Sequence, residues 1–428
     1  MFDDVTHPAH CCNNNSENPQ SSPPDYSFQP EVVAYAIAAI AAGENPLIVS
    51  PTGSGKSHII ADIISALREG RKNVLVITHR REIITQISQK LHALGIKHGV
   101  ILAGVDPRPM EAVQVASVQT LWIRGIKNNA MIRPAADVII IDEAHHTPAA
   151  TYTKIIESYP EARIVGCTAT PCRGDGRGLG GAFSKIIEAP QVAALITRGV
   201  LVKTIVYTPV TVNLKGVKTV KGDYHEGQLA HRMDTPQLIG DIGENYAKFG
   251  QNRKTVVFAV NVAHSMHICE EFIRLGFKAE HLDGDTPVET RNATLARLKS
   301  GETQIISNCM ILTEGFDCPD IGCIILARPT KKMGLYRQML GRALRGAPGK
   351  TDAIVIDHSG AVRAHGLAED HVDWFLDPDL KARSSEAHQS RGDGEQSRGL
   401  LECSQCSALR VGGQPCPNCG FLPRRPPK

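Results

Sequence analysis

The sequence predicts an α/β protein: two successive domains, each a doubly wound parallel sheet, followed by a small cysteine-rich module. Three observations carry this prediction. Runs that are apolar throughout, rather than alternating, suit strands buried on both faces, and "NPLIVS", "NVLVITH", "VQVASV", "DVIIIDE" and "RIVGCTAT" follow one another through the first part of the chain. Stretches with apolar residues three and four apart, "SHIIADIISALREG" and "REIITQISQKLHALG", stand between several of them as helices. The alternation then restarts near residue 253 with "KTVVFAV", "KAEHLDG", "TQIISN", "GCIILAR" and "DAIVIDH", separated by the helical "AHSMHICEEFIRLG" and "PVETRNATLARLKSG".

A chain of 428 residues exceeds what one hydrophobic core usually supports. The pattern divides it into a polar tail at 1–24, rich in Asn, Ser and Pro and expected to be disordered. A first α/β domain follows at 25–200, a second at 201–380, a polar linker at 381–400 and the cysteine module at 401–423. The hydrophobic share of 42% is ordinary for a globular protein. No apolar run reaches the length of a membrane span, because "AYAIAAIAAGENPLIV" is broken by Gly43, Glu44, Asn45 and Pro46. The polar start "MFDDVTHPAH" does not read as a secretory signal, so the expected compartment is the cytoplasm, with no membrane partner.

The first chemical motif is "SPTGSGKS" at 50–57, which leaves the strand "LIV" and opens a helix. Gly53 and Gly55 let backbone N–H groups close round phosphate oxygens where a side chain would block the approach. Thr52 and Ser54 complete the loop, Lys56 would reach the terminal phosphates, and the Ser57 hydroxyl would ligate Mg²⁺. Ser50 stands where the strict phosphate-loop pattern has Gly. A second half-site is "VIIIDEAHH" at 138–146, with acids just past a strand end, where ligands of α/β folds bind. There Asp142 would hold Mg²⁺ through water and Glu143 would polarise the attacking water. Together these predict ATP as the bound nucleotide.

Almost three hundred residues after the phosphate loop, "YRQMLGRALR" at 336–345 holds Arg337, Arg342 and Arg345, and no acid occurs between Lys331 and Lys350. The net charge is only +3, so this cluster is not a by-product of a basic composition. Either it faces a nucleotide, or it is a solvated basic helix face or a nucleic-acid patch.

The motifs taken in order resemble those of the superfamily 2 helicases: "THRREIITQ", "ASVQT", "IDEAHH", "CTATP", "TEGFDCP" and "QMLGRALR". "TATPCRGDGRGLGGAF", "ILARPTKKMGLYRQMLGRALR" and "IDHSGAVRAHGLAED" are most similar to the bacterial RadD-type DNA-repair helicases, with the type III restriction translocase subunits as cousins. The likeness spans roughly residues 28–420. It implies two tandem RecA-like domains that hydrolyse ATP between them. Gln29 resembles the adenine-reading glutamine, although the usual approach to it is missing. His145, Thr168, Thr170 and Gln338 resemble positions that couple hydrolysis to movement, and Gly315 and Asp317 match a segment touching both nucleotide and strand. Arg342 and Arg345 match the paired arginines that close over the γ-phosphate from the second domain. An arginine fork suits developing phosphoryl charge, and such fingers supply roughly 10³ to 10⁵ in rate.

The resemblance also implies a nucleic-acid partner, DNA in preference to RNA, and accessory repair or replication proteins. Short polar side chains at loop and helix starts suit backbone contacts; the candidates are Arg81, Gln86, Ser117, Thr120, Asn308 and Thr313. With aromatic content of 5%, a base-stacking platform is not expected. RNA, or an ATP-switched clamp without motor action, remains open at this stage.

"CSQCSALRVGGQPCPNCG" carries Cys403, Cys406, Cys416 and Cys419 as two Cys-x₂-Cys pairs. Such pairs form knuckles that aim thiolates at one ion, here a structural Zn²⁺ in a closed Cys₄ ribbon. Three patterns are set aside. "HEGQLAH" places its histidines on different helix faces, Gly176, Gly178 and Gly181 follow no strand directly, and no nuclease constellation is present.

Overall fold

The computed structural model describes residues 23–210, 212–380, 382–384 and 399–423. The expected tail up to residue 22, most of the expected linker, and the basic "RRPPK" end lie outside the described residues. The first lobe is built on seven parallel strands: β1 (Pro46–Val49), β2 (Val74–Thr78), β3 (Gly99–Ile101), β4 (Val113–Ser117), β5 (Val138–Asp142), β6 (Arg163–Thr168) and β7 (Lys185–Glu188). Their spatial order is β3-β4-β2-β5-β6-β1-β7. Strands β1, β2, β4 and β5 are buried at every position, as fully apolar runs require when helices cover both faces.

The second lobe starts at β8 (Lys203–Tyr207) and includes a short hairpin, β9 (Thr219–Val220) and β10 (Asp223–Tyr224). Its sheet continues with β11 (Thr255–Phe258), β12 (Ala279–Leu282), β13 (Ile305–Asn308), β14 (Cys323–Leu326) and β15 (Asp352–Asp357). All six sheet strands are parallel, in the order β12-β13-β11-β14-β15-β8. Strands β3, β7 and β8 and the hairpin were not anticipated from the sequence. They are short or begin on exposed residues, so no uniform apolar run marks them.

The predicted helices form where their periodicity placed them, at Lys56–Glu69, Arg81–Ala93, Val262–Arg274 and Val288–Ser300. The first buries Ile59, Ile60, Ile63, Ile64 and Leu67, each contributing roughly 1.5–3 kcal/mol relative to exposure. That burial fixes the helix whose start carries Lys56.

Two covalent stretches hold the lobes at the cleft. Before β8, Val202 N donates to Leu344 O at 2.9 Å, and Leu201 bridges Arg345, so the crossing segment is pinned to the arginine motif. Further on, Gln191 of the first lobe exchanges two 2.9 Å hydrogen bonds with the backbone of Val372, and Gly180 N donates to Leu376 O. Trp374 and Leu376 pack on the first lobe's core. Residues 372–384, read from sequence as the end of the second domain and the start of a linker, therefore return onto the first lobe. They include a two-residue antiparallel pairing, Val372 with Ser384 and Asp373 with Arg383. No described helix is long and apolar enough to cross a membrane.

Candidate nucleotide and coupling site

The phosphate loop leaves β1 between its neighbours β6 and β7, continuing the pairing through Ser50 N to Thr168 O at 2.9 Å. Ser50, the departure from the strict pattern, is fully buried and its hydroxyl lies 2.5 Å from that of Ser54. The hydroxyl thus closes the loop on itself where a glycine would leave it open. Gly55 adopts φ +92°, and a Cβ there would meet Gln29 Nε2 at 2.3 Å, so only glycine fits. Gln29 itself is buried and its amide donates to Ser54 O at 3.0 Å. The structure gives it the work of bracing the loop. Two aromatic side chains, Tyr26 from the first lobe and Phe316 from the second, line the cleft, and no sequence motif singles them out.

Lys56 Nζ rests 3.2 Å from Ser50 O, inside the cleft. Burial pushes its pKa down, and the nearby Glu143 and Asp142 pull it back up. Asp142 ends β5, and Glu143 follows in the left-handed region at φ 52°, which turns its side chain into the cleft. Burial and the adjacent Glu143 push the Asp142 carboxyl up. A divalent cation relieves that kind of deficit, and Asp142 and Ser57 both line the cleft where Mg²⁺ would sit. Glu143 Oε2 makes no hydrogen bond and stands 3.4 Å from His145 Nδ1.

The second lobe supplies the opposite wall, with Gly315, Asp317, Arg342 and Arg345 facing Lys56, Ser57, Asp142 and Glu143 across one cavity. The approach is close: a Cβ on Gly341 would come within 2.5 Å of Thr52 Cβ, and one on Gly53 within 2.9 Å of Arg345 Cγ. Arg342 is buried and uses all three guanidinium nitrogens on the backbone, two on Thr313 O at 2.7 and 3.1 Å and one on Phe316 O at 2.6 Å. Burial lowers its pKa to about 10. Arg345 instead pairs with the Asp317 carboxylate, while its Nε has no partner. In this conformation Arg342 shapes the cleft wall and Arg345 is held ready on an acid.

A second set of contacts joins the lobes behind the cleft. His145 Nδ1 lies 3.1 Å from Thr168 Oγ1, its Nε2 lies 3.3 Å from Glu314 Oε1, and Gln338 Nε2 lies 3.4 Å from that same nitrogen. Thr168 Oγ1 also accepts from Thr170 N at 3.1 Å. Glu314, which no sequence motif singles out, collects His79 at 2.9 Å, Arg80 at 3.3 Å and His146 at 3.4 Å as well. Burial opposes its ionisation, but the hydrogen bonds from His145, His146 and His79 win and hold it far below the usual carboxylate range. Burial likewise opposes protonation of His145, yet Glu314 and Glu143 raise its pKa overall. One buried carboxylate of the second lobe thereby ties together the turn after β2 and the turn after β5.

The expected nucleic-acid residues do not form one surface. Asn308 is fully buried, its amide donating to Val257 O at 2.8 Å and accepting from Leu312 N at 3.2 Å. That is a folding role, and it corrects the expectation of strand contact. Thr313 is buried on Met310 O, Ser117 and Thr120 are buried at a helix start, and Gln86 lines the nucleotide cleft. Arg81 is exposed and donates to Ala103 O at 2.8 Å. The polar residue types signal capping as readily as phosphate contact, and sequence cannot separate the two.

At the C-terminal module, Cys403 Sγ lies 3.6 Å from Cys419 Sγ and Cys406 Sγ 3.5 Å from Cys416 Sγ, with all four sulfurs within 4.8 Å of one another. Tetrahedral Zn²⁺ with bonds of about 2.3 Å sets sulfurs roughly 3.8 Å apart, so the cluster fits a structural zinc. The strands Leu400–Glu402 and Leu409–Val411 frame it, and Asn418 Nδ2 donates to Tyr207 Oη at 3.2 Å, docking the module beside edge strand β8.

Comparison with known proteins places this geometry in context. Residues 24–173 match the family described as type III restriction enzyme, res subunit, and residues 237–347 match the helicase conserved C-terminal domain. A 51.5 kDa protein of a Lactococcus phage (isolate 7-9) is 33% identical over 328 residues, covering 77% of this chain and 68% of its own. The Saccharomyces cerevisiae protein IRC3, named as an ATP-dependent helicase, is 30% identical over 425 residues, covering 91% of this chain and 61% of its own. The chain therefore spans about three fifths of the yeast relative's length. Among solved structures, a fragment of an HsdR subunit of a type I restriction enzyme from Vibrio vulnificus YJ016 superposes with a TM-score of 0.64 at 21% identity, covering 85% of this chain and 69% of that one. At that identity the likeness shows the fold, two tandem RecA-like domains.

Proposed function

Because the chain belongs to the superfamily 2 helicases related to the res subunits of type III restriction enzymes, a family of ATP-hydrolysing enzymes, we propose that it is a nucleic-acid translocase or helicase acting on DNA in repair or recombination, of the RadD type. The observation that carries the reading is the single cleft with Lys56, Asp142 and Glu143 on one wall and Arg342 and Arg345 on the other. The working units are a first domain at 25–200, a second at 201–380 and a zinc ribbon at 401–423, in a cytoplasmic protein that works with accessory repair proteins.

Thr52, Gly53, Ser54, Gly55 and Lys56 hold the triphosphate, with Gln29 bracing the loop. Mg²⁺ bound by Ser57 and Asp142 would neutralise phosphate charge. Glu143, whose Oε2 makes no hydrogen bond, accepts the proton of the attacking water. Arg345 leaves Asp317 for the γ-phosphate, and the pinning of Leu201 to Arg345 turns that shift into movement of the lobes. His145, Thr168, Thr170 and Gln338 report the shift to the strand side.

ATP turnover against single-stranded DNA, duplex DNA and RNA, followed by strand displacement, tests the reading, with Lys56→Ala as the inactive control. Stimulation by DNA with displacement supports it. Stimulation by RNA alone transfers the substrate to RNA, and turnover with binding but no displacement or translocation reduces the protein to a clamp.

A further inference from the structure

Two segments of the second lobe supply the wall that faces Lys56: the loop with Asp317 and the stretch with Arg345. Below the cleft four of their main-chain carbonyls converge, two from each segment. Carbonyl oxygens cannot bond one another, so a donor must stand between them. That donor is one ammonium group. Lys350 Nζ lies 2.9 Å from Pro319 O, 2.6 Å from Ile321 O, 2.6 Å from Ala343 O and 2.8 Å from Arg345 O. Lys350 stands five residues past Arg345 and belongs to none of the sequence motifs.

The arrangement is made for carbonyls and not for a counter-charge. Asp320, which lies in sequence between two of the accepting residues, pairs instead with Lys254 at 3.6 Å. The turn from Gly346 to Lys350 folds the side chain back over the segment it leaves, with Lys350 N donating to Ala347 O at 3.0 Å and Gly349 at φ 77°. Burial lowers the Lys350 pKa to about 8. A lysine offers three N–H donors and no acceptor, and bonds from a charged donor are roughly twice as strong as neutral ones.

Lys350 is one of two cations that clamp these segments together. Arg342 holds the loop farther up, through Thr313 O and Phe316 O. Lys350 holds it lower down, through Pro319 O and Ile321 O. Asp317, the partner of Arg345, lies between the two clamps. On its other side the Arg345 stretch is bonded through Leu344 O to Val202 N. The main chain of Arg345 is thus fixed, whereas its guanidinium is held by Asp317 and its Nε has no partner.

We propose that Lys350 is a positioning residue for ATP hydrolysis: it locks the main chain of Arg345 to the Pro319–Ile321 turn, so that the guanidinium swings from Asp317 to the γ-phosphate about a fixed root. The pull of the phosphate then reaches the whole lobe instead of being absorbed by a yielding loop. Lys350 does not line the nucleotide cleft, so it acts through Arg345 and not on ATP. The proposal rests on the reading of Arg345 as the group that meets the γ-phosphate.

A double-mutant cycle on the full chain tests it. Lys350→Ala, and Lys350→Met, which keeps the apolar stem in place, are each combined with Arg345→Ala. Steady-state kcat and KM for ATP are measured, with kcat expressed per site that binds a fluorescent ATP analogue, so that any unfolded fraction drops out. Each Lys350 variant is expected to lose about 10²-fold in kcat, as a misplacement of about 1 Å does, with KM unchanged. Added to Arg345→Ala, either change is expected to cost nothing further, because the group it positions is gone. A merely structural lysine would reduce the number of binding sites and leave kcat per site intact. Wild-type kcat per site in Lys350→Met, or the full loss repeated in the Arg345→Ala background, overturns the positioning role and leaves Arg345 in its place. Wild-type turnover in Arg345→Ala overturns both.

Discussion

Two cavities between the lobes lie near His145, which lines one and stands 3.4 Å from Glu143 of the other, yet they are built on opposite principles. The nucleotide cleft is made of backbone at close range. Gly53, Gly55 and Gly341 sit where a Cβ would collide, and Arg342 is locked to two carbonyls. The second cavity is made of long side chains on loops, several of them exposed, around a hairpin held by one aspartate. Phosphoryl transfer needs groups fixed to fractions of an ångström. Long charged side chains on loops hold no group to that tolerance. The difference teaches that the demands of the chemistry, and not the importance of the site, decide how tightly sequence is constrained.

The strongest way to break the contrast is at Arg345. Its alanine variant is expected to lower kcat by roughly 10³-fold, at the lower end for arginine fingers, with oligonucleotide affinity changed little. A steady-state ATPase assay beside a binding isotherm reads both. An equal loss in each would mean that Arg345 serves nucleic-acid binding as much as hydrolysis. Gly341→Ala is the next largest. The added methyl would stand 2.5 Å from Thr52 Cβ and hold the lobes apart, and a misplacement of about 1 Å costs on the order of 10²-fold. Undiminished turnover in that variant would show that hydrolysis does not need this closure.

How much of this was legible beforehand follows the same division. Lys56, Asp142, Glu143, Arg342 and Arg345 stand out in the sequence because fixed spacing, glycine placement and strand context converge on them, and in the structure all five line one cavity. Helices with clear periodicity, such as Lys56–Glu69, fell where expected, whereas β3 and the β9–β10 hairpin carry too few residues for any period to show. Asn308 was misread because a polar residue at a strand end has the same letter whether it touches a phosphate or pins a turn, and here it pins one. Glu314 was missed because its partners, His79, Arg80, His145 and His146, come from two other turns of the other lobe. No local pattern can announce a site assembled only by the packing of two domains.

That residue sharpens the comparison. Glu314→Gln keeps the shape and removes the charge that four neighbours face. A hydrogen bond to a charged group is worth about 1.5–3 kcal/mol, so nucleic-acid stimulation of the ATPase is expected to fall by roughly 10- to 100-fold. ATP binding, measured by fluorescent-analogue titration, is expected to hold, because Glu314 does not line the nucleotide cleft. Loss of ATP binding instead would make Glu314 part of the nucleotide wall.

The smallest expected effect is that of pH, and its sign follows from His145. Burial disfavours the imidazolium, but the hydrogen bond to Glu314 and the charge of Glu143 outweigh it, so the pKa in the closed lobes stands above the ordinary value, about 6.5 for a free histidine. A raised pKa means that closure gains its full benefit below that ordinary value and loses it as pH rises through the value in the closed state. Lobe closure, followed by energy transfer between dyes on the two lobes, is therefore expected to weaken modestly on going upward from about pH 6.5. His145→Asn should flatten that slope while His146→Asn should leave most of it, since burial drives His146 the other way, toward the neutral form. Closure that instead strengthens with rising pH, or a slope that survives His145→Asn, would mean that the His145–Glu314 contact does not govern how the two lobes close.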